Sequence, residues 1–344
     1  MTSPSLYRQT GFPVFQNRTY ATAEEARDCA LGDIDLAQDP TTGIITNRAF
    51  ELAKAVYDTD YNNEQSHSPR FQAHMDDVAA LITAHMGLKN LIEVGCGKGA
   101  FLEQMIKGGA DITGFDPTYE GNNPLIRKSY FNPDLGIEGD GLILRHVLEH
   151  IPQPVDFLKQ LAEANGGKGL IYIEVPCLDW ILENRAWFDI FYEHVNYFRM
   201  DDFARMFGRV LVSERRFGGQ YLSIIADLST LRDPAPDADV DWPQDFSAGL
   251  SKSDTGGMVW GGASKGVIFS LLRLREGRPV DGVIDINPDK QGRYLPVTGL
   301  RVTSPEDATQ LLAPGTLIYV MNPNYFDEIK AMTGNRFSYE RTSL

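Results

Sequence analysis

The chain has 344 residues, of which 42% are hydrophobic and 23% are charged, and its formal net charge at pH 7 is -15. This length suits two or three domains, and the composition is typical of a soluble globular protein. The acidic balance, with no basic run to offset it, excludes nucleic acid as the expected partner, since a negative surface repels phosphate backbones.

Membrane spans, disulfides and metals are also not expected. No apolar run is long enough to cross a bilayer, and residues 1–9 lack the apolar core of a secretory signal, so the expected compartment is the cytoplasm. The three cysteines, Cys29, Cys96 and Cys177, are far apart and form no Cys-x-x-Cys pair. The sequence therefore predicts neither a disulfide framework nor a metal site, zinc included.

The first two predicted units are an N-terminal cap and a larger α/β domain. Residues 1–75 are rich in turn-forming residues and are predicted to form a cap of loops and short strands, with one helix over 47–56. Residues 76–230 alternate strand-like and helix-like patterns. Strands are predicted over 90–94, 111–115, 141–146 and 169–175, with helices over 100–107 and 155–164. This alternation predicts a Rossmann-like parallel sheet covered by helices on both faces.

The rest of the chain predicts a hairpin, a linker and a second α/β domain. Two strands over 210–217 and 221–228 are separated by a glycine pair and form the hairpin. Residues 231–250, with three prolines and five aspartates, form the linker. Residues 251–344 restart the alternation and predict a smaller C-terminal α/β domain. Its strands are predicted over 258–260, 280–286 and 317–321, and its helices over 264–275, 305–312 and 325–332.

A glycine-rich loop, residues 91–99 (Leu-Ile-Glu-Val-Gly-Cys-Gly-Lys-Gly), follows one strand and opens a helix. Glycines there permit a tight turn and let a ligand lie against bare backbone. Glu93 places a carboxylate near a cationic ligand, and Asp116, about 20 residues on, can accept both hydroxyls of a ribose. No phosphate-binding Gly-x-Gly-x-x-Gly completes the loop. This pattern suits S-adenosylmethionine (SAM), which has a ribose and a sulfonium but no phosphate.

The order Glu-x-Gly-x-Gly-x-Gly, then Asp116, then the fourth strand resembles class I SAM-dependent methyltransferases. Two other interpretations of the loop remain: a strand–helix turn without a ligand, and a nicotinamide or flavin site. The predicted cofactor contacts are Glu93, Gly95, Cys96, Gly97, Gly99, Asp116, Pro117, Arg145 and His146.

Two histidine clusters follow predicted strands, at the sheet edge where ligands of open α/β folds bind. The first spans residues 144–152 and contains His146 and His150, and the second spans 192–198 and contains His194. A histidine of near-neutral pKa can remove the proton of a nucleophile that attacks the methyl group. We therefore assign His194 as base, Glu193 and Tyr192 as residues that position it or the substrate, and His150 as a second contact or alternative base. The competing interpretation of each histidine is a packing residue. His67, His74 and His85 are read as surface or helix positions.

Three stretches resemble the sugar C-methyltransferases of deoxysugar biosynthesis, a family with an N-terminal zinc module, a SAM domain and a C-terminal α/β domain. They are residues 145–151, residues 174–194 from Glu-Val-Pro to Glu-His, and residues 262–266 with 287–296. The resemblance implies methylation of a carbon beside a ketone in a nucleotide-linked sugar. It also implies that Glu193, His194 and His150 take the active-site roles.

The same resemblance implies further contacts. Tyr61 and Gln65 correspond to a segment that closes over SAM, and Lys265, Lys290 and Arg293 could bind the phosphates of a nucleotide-sugar or form salt bridges instead. The chain departs from the family at the zinc cysteines, where residues 7–11 are Tyr-Arg-Gln-Thr-Gly, and at Phe191 and Phe217, where the family has a tyrosine and often a histidine. The cap is therefore a zinc-type module without its metal.

The leading hypothesis is a small-molecule methyltransferase that uses SAM, yields S-adenosylhomocysteine and acts on a nucleotide-sugar or glycan precursor. The alternatives are an O- or N-methyltransferase of another metabolite, a non-catalytic partner module of the same fold, and a nicotinamide oxidoreductase. No membrane partner is expected, and the sequence carries no signal for an oligomeric state.

Overall fold

The computed structural model describes residues 3–55, 68–236, 238–251 and 256–342. The helices are α1 (Ala23–Arg27), α2 (Pro69–Met86), α3 (Ala100–Lys107), α4 (Pro154–Ala164), α5 (Leu178–Glu183), α6 (Met200–Met206), α7 (Ser264–Arg275), α8 (Pro305–Leu311) and α9 (Phe326–Met332). The strands are β1 (Tyr7–Pro13), β2 (Leu31–Gln38), β3 (Ile45–Asn47), β4 (Leu91–Val94), β5 (Ile112–Phe115), β6 (Ile126–Arg127), β7 (Gly141–Arg145), β8 (Leu170–Pro176), β9 (Asn196–Tyr197), β10 (Val210–Arg216), β11 (Tyr221–Asp227), β12 (Met258–Trp260), β13 (Gly282–Ile284), β14 (Val302–Thr303), β15 (Leu317–Val320) and β16 (Ser338–Arg341). No helix among these described residues has the length and apolar character needed to cross a bilayer.

The N-terminal cap is an antiparallel sheet with the strand order β1-β2-β3-β9. Strand β9 begins two residues after His194 and pairs with β3, where Ile45 faces Tyr197. The cap is therefore hydrogen-bonded to the segment that carries the candidate base. A capping box of Thr22 and Glu25 starts the short helix between the first two strands.

The helix predicted over residues 47–56 is wrong for the described part of that range, residues 47–55. Asn47 instead ends β3, because its side-chain oxygen accepts a hydrogen bond from the backbone N–H of Asp35 (2.9 Å) and its amide donates to the carbonyl of Asp33 (3.2 Å). One 3-10 turn, Leu52–Lys54, follows it. These long-range contacts override the helical pattern of the local sequence.

The central sheet has the order β10-β11-β8-β7-β4-β5-β6. Strands β4 to β8 run parallel, whereas β10 and β11 form the predicted antiparallel hairpin at the edge. The chain order reverses between β4 and β7, and ligands of open α/β sheets bind at the carboxyl ends of such strands. The Rossmann-like fold predicted from the alternation is confirmed. The domain ranges stay a prediction, and the boundary placed between residues 75 and 76 falls inside α2.

The C-terminal sheet is parallel throughout, with the order β14-β13-β12-β15-β16. Its outer strands β14 and β16 were not predicted. Helix α7 packs on the central domain, where the ring of Phe269 stacks on that of Trp187 with centroids 5.4 Å apart. One buried apolar cluster continues through all three sheets, from Phe12 through Leu144 to Phe269. This shared core connects the central sheet to the C-terminal sheet, and the carboxyl ends of their parallel strands lie opposite each other.

Candidate active site

A cavity of about 370 Å³ lies between the carboxyl ends of the central and C-terminal parallel strands. Its central-domain wall comes from the residues after β4, β7 and β8, and its C-terminal wall from those after β12, β13 and β15. We call this space the inter-sheet cavity. Glu149, His150 and His194 line it together with the glycine loop. The predicted cofactor loop and the predicted base are therefore neighbours in the fold.

The glycine loop adopts a backbone that requires glycine. Gly95 has φ +72°, and a Cβ there would lie 2.4 Å from Val147 Cγ2. The N–H of Gly97 donates to Asp116 Oδ2 at 2.8 Å, which ties the loop to the end of β5. The other carboxylate oxygen of Asp116 accepts from the backbone N–H and hydroxyl of Thr118. The acid predicted to bind ribose is thus already oriented by the protein.

Glu93 is a buried carboxylate beside this loop. Its side chain is 3% exposed, and its Oε2 has no hydrogen-bond partner among the residues that the structure describes. Burial raises its pKa to about 7, which Arg145 opposes and Asp116 reinforces. A buried acceptor without a donor is costly, so this oxygen favours a ligand that brings one.

The predicted cofactor residues divide into three groups. Six of them line the inter-sheet cavity: Glu93, Gly95, Cys96, Gly97, Arg145 and His146. Gly99, Asp116 and Pro117 do not line the cavity, and Gly99 is the N-cap of α3. Tyr61 and Gln65 fall outside the described residues, as does His67.

A buried network under the cavity centres on Glu174, which is fully buried in β8. Arg145 donates two hydrogen bonds to Glu174 Oε1 (2.9 and 3.2 Å), and Tyr172 donates to Oε2 (2.9 Å). His146 Nε2 and His74 Nε2 each lie 3.1 Å from this carboxylate. Burial opposes ionisation of Glu174, but Arg145 and the histidines hold its pKa well below the usual value. Arg145 therefore belongs both to this buried network and to the cavity wall.

His74 lies on a helix, α2, which was one of the two positions predicted for it, but its side chain is only 3% exposed and so is not on the surface. Phe71, Val78 and Ile82 are buried on the same helix, and their helical spacing is the signal that could have placed His74 inside. His85, in contrast, is exposed on that helix.

His146 carries a positive charge near neutral pH. Burial lowers its pKa, but its contacts with Glu149 and Glu174 outweigh that effect and raise the pKa to about 9. Its Nδ1 lies 3.4 Å from Glu149 Oε1. The backbone φ of His146 is +52°, which is uncommon for a residue other than glycine. His146 adopts it in the turn that directly follows β7.

His194 is the neutral counterpart of His146. Burial lowers its pKa well below the ordinary value, and the charges of His150, His146 and Lys265 act in the same direction. Its Nδ1 is buried and has no hydrogen-bond partner among the described residues. The ring packs against Phe191 and lies 5.0 Å, centroid to centroid, from His150.

His150 has a defined tautomer. Its Nδ1 lies 2.9 Å from the backbone carbonyl of Glu193. A carbonyl oxygen only accepts, so Nδ1 must carry the hydrogen and Nε2 is left as the basic nitrogen. Glu149, His150 and His194 each offer one donor atom, and all three atoms lie within 4.8 Å of one another. Glu149 was not among the predicted site residues, although it directly precedes His150.

Tyr192 and Glu193 do not line the cavity, contrary to the positioning roles assigned to them. The Tyr192 hydroxyl accepts from the backbone N–H of Glu51 at 2.8 Å, and Glu193 Oε1 accepts from that of Gln16 at 2.6 Å. Both side chains therefore face the cap, where these two backbone N–H groups lie. Phe191, one residue earlier, faces the cavity instead.

Two of the three predicted phosphate contacts line the cavity. Lys265 donates to Asp189 Oδ2 (2.5 Å) and Gln220 Oε1 (3.1 Å) from the start of α7. Lys290 is 3% exposed, and burial lowers its pKa. Arg293 lies elsewhere: it donates to Thr19 Oγ1 and to the Thr19 carbonyl and so joins the C-terminal domain to the cap. Asp189, the partner of Lys265, lies in the stretch 174–194 that resembles the sugar C-methyltransferases, but it was not among the predicted site residues.

Residues 66–210 match a family model described as a methyltransferase domain. This part of the chain is a class I SAM-dependent methyltransferase domain. It includes the glycine loop, Asp116 and all members of the Glu149–His150–His194 cluster. SAM is the cofactor of the methyltransferase domain, as the loop pattern predicted.

The methyltransferase domain is similar to several known proteins. The C-methyltransferase NovU of Streptomyces niveus is 26% identical over 150 residues, which cover 39% of this chain and 36% of that protein. The chain thus matches only about a third of the length of this curated relative. The 1,6-didemethyltoxoflavin-N1-methyltransferase of Burkholderia thailandensis is 15% identical, with a TM-score of 0.34 over 48% of this chain and 79% of that one. Magnesium protoporphyrin IX methyltransferase of Synechocystis PCC 6803 is 18% identical, with a TM-score of 0.36 over 50% and 89%.

Proposed function

We propose that the protein methylates a small molecule bound in the inter-sheet cavity, using SAM and releasing S-adenosylhomocysteine. The observation that carries this proposal is a single cavity lined both by the glycine loop and by the cluster of Glu149, His150 and His194. The proposed acceptor is a nucleotide-linked sugar or a related glycan precursor. Support for it comes from the motifs resembling sugar C-methyltransferases and from the two lysines on the C-terminal wall.

The residues of the glycine loop fit SAM. Gly95 and Gly97 bring bare backbone to the cavity, and the buried Glu93 Oε2 lacks a donor that a cationic ligand can supply. Asp116 at the end of β5 has lone pairs left for ribose hydroxyls beyond its bonds to Gly97 and Thr118. When bound, the cofactor supplies a methyl group on a positively charged sulfur.

We assign His194 as the proton acceptor. Its neutral imidazole lines the cavity, and removal of a proton from the acceptor atom leaves the electron pair that forms the new bond to the methyl carbon. The low pKa makes His194 a weak base in the free protein. Contact with an anionic intermediate would stabilise its protonated form. His150 remains the alternative base, with Nε2 as its proton-accepting atom.

Lys265 and Lys290 are proposed to bind anionic groups of the acceptor. Both approach the cavity from the C-terminal domain, opposite the glycine loop. Lys265 is already paired with Asp189, so an anion there would share the ammonium with the protein. Arg293 is assigned to the domain contact with Thr19 instead.

Mass spectrometry of reactions containing SAM and a panel of nucleotide-linked sugars and keto-sugars tests this proposal. A gain of one methyl group supports it, and fragmentation assigns the methyl to carbon, oxygen or nitrogen. A His194→Ala variant that still binds SAM serves as the inactive control. Binding of SAM without product from any panel member would reject the proposed acceptor class.

A further inference from the structure

The Glu149–His150–His194 cluster contains buried groups that lack the partners they need. Glu149 is 1% exposed, and its Oε2 has no hydrogen-bond partner among the described residues. His146 contacts only the other oxygen, Oε1. A buried carboxylate oxygen without a donor costs free energy, which a bound cation would remove.

The two histidines present the features of metal ligands. The hydrogen bond from His150 Nδ1 to the Glu193 carbonyl directs the Nε2 lone pair away from that contact. Histidines that bind metals almost always donate their other ring nitrogen to such an oxygen, which fixes the tautomer. His194 brings a nitrogen within 4.8 Å of the other two donor atoms, and its buried Nδ1 has no hydrogen-bond partner among the described residues.

We propose that Glu149, His150 and His194 bind one divalent transition-metal ion, such as Zn²⁺ or Co²⁺. Two imidazoles and one carboxylate suit zinc and its neighbours, and the cavity side leaves a coordination position open. Metal–ligand bonds of about 2.1 Å in a tetrahedral site place the ligand atoms roughly 3.4 Å apart, so side-chain shifts of about 1 Å would close the cluster. No metal site was predicted from the sequence because the chain has no Cys-x-x-Cys pair. The proposed site uses no cysteine.

Two neighbouring cations oppose the ion. His146 lies beside Glu149, and the charge of Lys265 acts on His194. Asp189 partly neutralises Lys265 through their ion pair. The site should therefore bind more weakly than a site without these charges, and displacement of His146 from Oε1 should accompany binding.

The expected consequence for activity rests on the proposed function. A metal on His194 occupies a ring nitrogen and leaves the other nitrogen protonated, so His194 can no longer accept a proton. The ion should therefore inhibit methyl transfer. The metal site is thus a means of regulating the same cavity, and metal binding itself can be measured without any acceptor.

Titration of chelator-treated full-length protein with Co²⁺, followed by visible absorption, tests the site. One equivalent should bind, and Glu149→Gln and His150→Ala should each weaken binding by about 10-fold or more. His85→Ala removes an exposed histidine and should bind Co²⁺ as the unaltered protein does. A rise in melting temperature with SAM shows which variants remain folded.

Two results would overturn the metal site: no change in absorption when Co²⁺ is added, or equal binding of Co²⁺ to the protein with and without Glu149→Gln. A turnover that rises with Zn²⁺ would overturn the expected inhibition and the assignment of His194 as the base. Loss of methyl transfer in every assay, with Co²⁺ still bound, would refute the proposed reaction and leave the metal site standing.

Discussion

Replacement of Glu93 by glutamine tests whether the buried carboxylate of Glu93, beside the glycine loop, lowers the free energy of unfolding when no ligand is bound. The pKa of Glu93 rises in the folded protein from 4.5 to about 7 because the side chain is buried. The folded state therefore holds the proton more tightly than the unfolded chain. The free energy of unfolding should fall as pH rises from about 4.5 through 7, because the unfolded state then releases the proton first.

The size of this effect follows from the pKa difference. Each pKa unit corresponds to 1.36 kcal/mol, so the ionised carboxylate costs about 3 kcal/mol above pH 7. Glu93→Gln removes this cost. The stability of the variant relative to the unaltered protein should therefore increase by about 2 to 3 kcal/mol between pH 5 and pH 8.5, or roughly 3–4 °C in melting temperature.

Thermal denaturation of both proteins without ligand across this pH range provides the assay. Glu103→Gln, an exposed glutamate on α3, is the matched control and should show no such pH-dependent difference. The same Glu93→Gln variant should bind SAM at least about 10-fold more weakly, because a charge-assisted contact is lost. Parallel pH profiles for Glu93→Gln and the unaltered protein would refute the reasoning, since they would show that Glu93 titrates alike in the folded and unfolded states.

Three other substitutions address the cofactor loop and the base. Asp116→Ala should weaken SAM binding roughly 10- to 100-fold in calorimetry, because the ribose loses its acceptor and Gly97 loses its hydrogen bond. His194→Ala should keep SAM affinity and lower kcat by about 10²- to 10⁴-fold in the methyl-transfer assay. Gly95→Ala should lower the melting temperature and SAM affinity, since its Cβ would lie 2.4 Å from Val147 Cγ2 at a positive φ; the two penalties together cost roughly 2–4 kcal/mol.

Each of these substitutions has a defined contrary result. Unchanged SAM affinity in Asp116→Ala would remove that residue from the cofactor site. Full activity of His194→Ala would transfer the base role to His150. Gly136→Ala, which also has a positive φ but nothing within 4 Å of the added carbon, measures the backbone strain alone. Equal losses of stability in Gly95→Ala and Gly136→Ala would mean that the contact with Val147 is unimportant.

The local parts of the site were predictable because short-range chemistry determines them. A tight strand–helix turn requires glycine at Gly95, and an acid at the end of the next strand is recognisable as Asp116 from its distance along the chain. His150 and His194 were recognisable because polar residues after buried strands collect at one sheet edge. Their shared location in the inter-sheet cavity agrees with that expectation.

Other roles depended on side-chain direction and long-range contacts. Tyr192 and Glu193 adjoin His194 in the chain, yet both bind backbone N–H groups of the cap. Arg293 resembles a phosphate ligand in sequence but bridges to Thr19, 274 residues away. These partners are distant in the chain, so no local sequence pattern could predict the hydrogen bonds.

The sequence alone determined the Rossmann-like alternation and the glycine loop after β4, because hydrophobic periodicity and glycine conformations act over a few residues. Only the tertiary structure decided the electrostatics of the site. Glu174 in β8 gathers groups from α2 and β7 into one buried network, and that network keeps His146 charged near neutral pH while His194 stays neutral. Protonation depends on burial and on charges a few ångströms away, and folding brings those charges together from segments distant in the chain.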